Sequence, residues 1–429
     1  MTARVIRRVL FSTIPVCAIA LFAACNRGAD RTPAEDAIRA MVDSMLPSLE
    51  RLSTLPAQAP IQLARQSVEQ VRAYVEAKLE EELPPAELES VRILYTMLGL
   101  LPDTLRLRDL LLDLYTEQIA GYYDPATRQL YVVDGVPAPA LRTVIAHELV
   151  HALQDQHTNL DSLIEKGRGN DRQTAAQAAI EGHATLVMFA LLAEEIAGQP
   201  IDPGSLPDPG AQLSGGFAGA AQFPVFDRAP AIIRETLVFP YAAGASFVHA
   251  LWAADGGGPH TAPIGDALPQ STEQVMHPLT RFRGHRDTPT ELRFSAQGSW
   301  TVAYENTLGA FEVQILLDQH LGAGTASANG WDGDRLRLLE SPAGGRVLDW
   351  VILWDDTASS ERFRHDVERI RERGAFGERA LIESMTIEER PAVRIVIARD
   401  VDPSTVPRVQ LHCATEDGTP LPCASSSAP

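Results

Sequence analysis

The segment His147-Glu148-Leu149-Val150-His151 constrains this chain more than any other feature. It lies among Val144, Ile145, Leu149 and Val150, apolar at the spacing of a helix. On a helix, residues four apart differ by about 40° and stand one turn above each other, so both imidazoles can reach one metal ion. Zinc takes such nitrogens at about 2.0–2.1 Å. Glu148 lies about 100° round from His147, close enough to hold a water on the metal without being a ligand. Two neutral nitrogens and one further ligand leave a coordination position open, and Zn2+ lowers the pKa of water held there toward ~7. The carboxylate then takes a proton and hands it to a leaving amine. With 11 His in 429 residues, chance supplies roughly 0.02 such motifs in a chain like this. The pattern predicts a zinc site with Glu148 as general base and acid.

Three residues compete to be the third ligand. His157 stands six residues after His151, but the midpoint, where a chain folding back would need Gly, is Gln154. Ala152-Leu153-Gln154-Asp155-Gln156 has no Gly or Pro and continues the helix. His157 then lies about 9 Å beyond His151 along the axis, which makes it a poor ligand. Glu181 and His183 belong to Ala179-Ile180-Glu181-Gly182-His183-Ala184-Thr185 on the next helix. They stand about 200° apart around it, so only one can face the metal.

Two likenesses bear on that choice. HELVHALQD, from His147 to Asp155, resembles the HELTHAVTD of the gluzincins, the thermolysin-like zincins, whose third ligand is a Glu on the helix after HExxH. Downstream, Ile180 stands in place of the thermolysin-type Asn and Thr185 in place of a supporting Asp, at a longer spacing. A closer resemblance, from about Glu117 to Arg335, is to a group of exported bacterial and archaeal HExxH proteins with GYYDP, HELxHALQDQH, EGxAT, FPYxxG and STEQVxHP segments. The resemblance implies a zincin-like α+β metallopeptidase, mainly helical with a small sheet. It also implies that His147, His151 and Glu181 hold the zinc.

Other candidates lie further along. His277 follows a short helix that Ser271 and Gln274 can cap and Pro278 ends. Glu273, four residues earlier, can orient its imidazole. By analogy with thermolysin-like enzymes His277 is a candidate oxyanion donor; the alternative is a His favourably placed at a helix C-terminus. Tyr241, in Phe239-Pro240-Tyr241, is a second candidate donor or a buried core Tyr. Asp332 and Asp334 read as part of a turn with a surface ion pair. The strand Gln129–Asp134 precedes the metal helix, where zincins place the edge strand that pairs with an extended peptide.

The N-terminus predicts export. Arg4, Arg7 and Arg8 precede an apolar run from Val9 to Ala24, short for a stable span and suited to a secretory signal. Its end, Leu21-Phe22-Ala23-Ala24-Cys25, resembles a bacterial lipobox. That likeness implies lipidation at Cys25 and a place in the cell envelope, at the outer membrane or periplasmic face, with membrane contact through the lipid anchor only. An oxidising compartment favours a disulfide between Cys413 and Cys423. The balance of 37 Lys+Arg against 56 Asp+Glu gives −19, which argues against a nucleic-acid partner.

Residues 1–24 thus read as signal peptide and 25–60 as a tether with one short helix. Residues 61–339 read as the metal-binding domain, opening with an amphipathic helix over Ile61–Leu83. Within it 198–230, rich in Gly and Pro, reads as a long surface loop. Residues 340–410 read as a small α/β unit and 411–429 as a tail. The expected activity is zinc-dependent hydrolysis of peptide (amide) bonds in a peptide or protein substrate. The alternative is a non-catalytic cell-envelope binding or assembly lipoprotein that keeps the fold. Glu148 argues against it, because a purely structural metal site has no need of that carboxylate.

Overall fold

Ile38, Val42, Met45, Leu49 and Leu52 recur at helical spacing, and helix α1 (Glu35–Ser53) buries all five. The structure is a computed structural model describing residues 33–160, 169–216, 223–257, 259–294, 299–377, 379–406 and 411–414. The signal segment 1–24 and Cys25 lie outside the described residues, as does Cys423 and with it the Cys413–Cys423 pairing. α1 packs against α5 (Ala138–His157) and α6 (Asn170–Ala197). The reading of 25–60 as a tether is therefore corrected: its apolar stripe makes α1 a core helix.

The expected helix over Ile61–Leu83 is also corrected. Ser67 accepts the Gln70 backbone N–H and Gln70 reaches back to Ser67, a capping box that starts α2 (Val68–Glu82) only at that point. The residues before it form strand β1 (Gln62–Gln66), parallel to β3 (Gln129–Val133). On the other side of β3 lies antiparallel β2 (Gly121–Asp124). The strand before the metal helix is thus the centre of the sheet, not its edge; β1 and β2 are the edges. Helices α3 (Pro85–Met97) and α4 (Leu107–Gln118) precede this hairpin.

The reading of 198–230 as a long surface loop is corrected for its described residues, where α7 (Pro209–Gly216) and α8 (Pro224–Arg228) form. α7 lies on α9 (Ala231–Ala254), and a Cβ at Gly210 would come 2.0 Å from the Ala242 oxygen. α6 and α9 are both long and apolar enough to cross a membrane by length and composition, and most of each apolar window is buried inside the protein. They are the central pair of the fold. A short α10 (Thr272–Met276) follows, with Ser271 accepting the Gln274 N–H as the expected cap.

The C-terminal unit is an antiparallel sheet of β5 (Thr301–Asn306), β6 (Trp331–Glu340), β7 (Arg346–Trp354), β9 (Arg390–Arg399) and β8 (Ala380–Ile387), in the order β5-β6-β7-β9-β8. Helices α11 (Gly309–Leu321) and α12 (Thr357–Glu372) pack on it. A separate ribbon pairs β4 (Glu291–Phe294) with β10 (Leu411–Ala414). This places the start of the unit near residue 301 and corrects the boundary at 340. Trp331 to Arg335 begin β6, a buried strand and not a turn. The core is continuous across both parts, so the fold is α+β throughout.

Candidate metal centre

Helix geometry performs the first step of assembly. His147 and His151 stand one turn apart on α5, with ring centroids 4.7 Å apart and planes at 80°. α6 brings Glu181 up to them, and α6 is held in turn by a close crossing with α9. A Cβ on Gly182 would lie 2.0 Å from the Gly244 carbonyl carbon, and one on Gly244 would lie 2.0 Å from the Ala178 oxygen. Only two glycines allow that approach. The same crossing carries Tyr241 to a ring-centroid distance of 5.9 Å from His147.

The three side chains converge on one point. His147 Nε2 and His151 Nε2 are 3.0 Å apart, and Glu181 Oε2 is 3.0 Å from the first and 3.1 Å from the second. All three residues are buried, and among the described residues they are the one group of three able to share a metal ion. Each atom of the triangle offers a lone pair once its imidazole nitrogen is free of a proton, so the donor set suits a cation at its centre. Tetrahedral zinc with bonds of about 2.0–2.1 Å holds its ligand atoms about 3.3–3.4 Å apart, so each edge needs to open by about 0.3 Å. The residues fit the ion. Burial pushes His151 down, but the Glu181 carboxylate outweighs it and raises the imidazole to about 9. Burial likewise pushes Glu181 up, and the two histidines reverse this and lower it to about 2. Either a proton or a metal must balance that buried carboxylate.

Glu148 is buried beside the triangle but outside it. Its Oε2 accepts the backbone N–H of Tyr123 at 2.8 Å, so edge strand β2 holds the carboxylate in place. The Tyr123 hydroxyl donates to Asp155 Oδ2 at 2.9 Å, binding β2 to the far end of α5. Gly121 keeps the strand close, since a Cβ there would sit 2.9 Å from Val144 Cγ1. The GYYD segment reads in sequence as a hairpin, and nothing in its pattern reveals that one of its amides holds Glu148.

Gln154 is the second residue the sequence reading missed. At the position where a fold-back would need Gly, its Oε1 lies 2.7 Å from His151 Nδ1. The i, i+3 spacing was the available signal. His183 faces away from the triangle as expected, and lies 2.9 Å from Gln154 Nε2. Burial holds its imidazole down at about 3, against the hydrogen bond that it donates to the Ser53 carbonyl oxygen and helped by the charge of His151, so it stays neutral. His157 lies outside the triangle; its Nε2 is 2.7 Å from the Pro56 oxygen, tying the end of α5 to the chain after α1.

His277 closes α10, half-buried, with its side chain bonded to Asn329. Burial lowers its pKa, against that bond. Glu273 does not orient it, a correction: the carboxylate lies 3.7 Å from Arg281 instead, and burial outweighs that cation to raise it to about 8. Asp334 accepts the backbone N–H groups of Leu308 and Gly309 at 2.9 Å each and Trp350 Nε1 at 2.9 Å, so it fastens the start of α11. Asp332 pairs with Arg390 and Thr290. Neither belongs to a surface turn.

Residues 300–410 match the model of a family described as a domain of unknown function, DUF8575. That span agrees with the sheet unit beginning at β5 and does not include His147, His151 or Glu181. No curated protein and no solved structure matches the chain.

Proposed function

We propose that this protein is a zincin-like metallopeptidase that hydrolyses peptide bonds, exported and anchored in the cell envelope through lipid on Cys25. The observation that carries the reading is the buried triangle of His147, His151 and Glu181 with the Glu148 carboxylate fixed beside it. His147, His151 and Glu181 would hold Zn2+. Bound there, the ion supplies Lewis acidity and brings the pKa of water toward ~7. Glu148 then does the proton work through Oε1, since Oε2 holds the Tyr123 amide: it takes a proton from the attacking water and passes it to the departing amine. The Tyr123 amide keeps that carboxylate aimed without making it a ligand. Tyr241 and His277 remain candidate donors to the oxyanion, and Tyr241 lies beside His147.

The test is metal content of the purified protein together with digestion of a broad peptide library. Stoichiometric zinc with cleavage that stops on removing the metal supports the reading. Zinc without any cleavage leaves the binding lipoprotein.

A further inference from the structure

His151 is the end of a buried chain of hydrogen bonds whose direction can be worked out from chemistry alone. Its members are Gln154, His183 and the backbone of Ser53, all fully buried. His183 Nε2 is 3.2 Å from the Ser53 carbonyl oxygen. A carbonyl only accepts, so the Nε2 of His183 carries the proton and its Nδ1 is an acceptor. That Nδ1 is 2.9 Å from Gln154 Nε2, which also donates to the Ile180 oxygen at 3.0 Å. An amide nitrogen only donates, so both of its protons are placed and the amide cannot be flipped. Gln154 must then turn its oxygen to His151, 2.7 Å from Nδ1. His151 therefore carries a proton on Nδ1, which leaves Nε2, on the side of the triangle, as the nitrogen able to take a metal ion in place of a proton.

We propose that Gln154 and His183 are positioning residues of the metal centre, fixing the tautomer and ring orientation of His151 from the carbonyl that closes α1. The inference rests on the metal reading above and extends it to an element the sequence assigns to a tether. Ser53 is the last residue of α1, and Thr54 after it turns left-handed at φ 63°. That turn ends the helix and leaves the Ser53 carbonyl without an intrahelical partner, which is why it can accept from His183. Arg51 holds α1 to α6 through Glu194 at 2.6 Å, keeping the carbonyl in register. A metal-bound imidazole is held in this way by an acceptor on its other nitrogen. Here the acceptor is an uncharged amide, itself locked by a second histidine.

The experiment uses the full chain and zinc alone as probe. Zinc affinity is measured by competition with a chromogenic chelator, and histidine tautomers by nitrogen-15 NMR of histidine-labelled protein. Gln154→Leu is expected to weaken zinc by about 10–100-fold, and His183→Leu by a smaller factor. His183→Gln is expected to stay near wild type, because an amide repeats the acceptor and donor of that imidazole. In the wild type His183 is expected as the Nε2–H form, whatever the variants do. A folded Gln154→Leu with wild-type zinc affinity, or His183 as the Nδ1–H form, overturns the positioning role while leaving the metal reading intact. Wild type that takes up no zinc overturns both.

Discussion

Glu148 differs from its two flanking histidines in what its loss should do. It lies outside the triangle of His147, His151 and Glu181 and is held by the Tyr123 amide. Glu148→Gln keeps an oxygen for that amide, so zinc content should match wild type while peptide hydrolysis falls by about 10²–10⁴-fold. Equal hydrolysis by wild type and Glu148→Gln on every peptide tested would remove the catalytic reading. Glu181→Ala should instead abolish stoichiometric zinc, whereas His157→Ala should retain it, because His157 bonds the Pro56 oxygen. Zinc lost from His157→Ala and kept in Glu181→Ala would sink the ligand assignment. At this scale the sequence was informative where helix periodicity applies. His147, His151 and the exclusion of His157 follow from angles and rise along one helix, and the triangle fits them. Tyr123 holds Glu148 through a backbone amide, which any residue but Pro supplies, so side-chain identity carried no signal. Gln154 stands out in the sequence only for not being Gly, and its role depends on a contact to His183 on another helix.

Among the elements, the crossing of α6 and α9 determines where Glu181 and Tyr241 stand. Gly182→Ala places a methyl where the Gly244 carbonyl already lies, and neither backbone can move without carrying a site residue along. Overpacking of this kind costs about 1–3 kcal/mol or more. Gly182→Ala should therefore lower the urea midpoint and also weaken zinc, since Glu181 is its neighbour. Unchanged zinc affinity in a destabilised but folded variant would show that the crossing serves packing alone. α1 makes the complementary case. Its apolar spacing is present in the sequence, but Pro56 and Pro60 follow it closely and periodicity does not tell which surface a helix covers. Leu49 is wholly buried, so Leu49→Ala should cost about 2–5 kcal/mol, read from chemical denaturation. A tether would not register the change.

At the scale of the whole molecule, the sheet unit is joined to the metal part by buried carboxyl groups. β6 hides this in sequence: Asp332 and Asp334 look like part of a polar turn, yet both are buried with partners, as are Arg335 against Glu305 at 2.7 Å and Arg337 against Asp349 at 2.9 Å further along the strand. The boundary near 301 is invisible to alternation when the buried positions are charged. At the junction Glu312 of α11 accepts Asn170 Nδ2 at 2.6 Å and the Tyr95 hydroxyl at 3.0 Å. Burial raises Glu312 to about 8, against those two bonds, with Asp334 and Asp171 adding to the rise. Burial also raises Asp171 to about 7, against its bonds to Thr272. In the unfolded chain such groups ionise near ~4, so between there and the folded pKa the native state binds the extra proton. Stability should accordingly be fullest below pH ~4 for these groups and fall as pH rises, by about 1.4 kcal/mol per unit per group, until each passes its folded pKa. Glu312→Gln keeps an acceptor for Asn170 and cannot ionise. Its melting temperature should fall less than that of wild type between pH 5 and about 8, with the share from Asp171 remaining in both. Parallel melting curves for the two proteins across that range would mean that Glu312 stays ionised in the fold, and that the junction holds a charge in place of a proton.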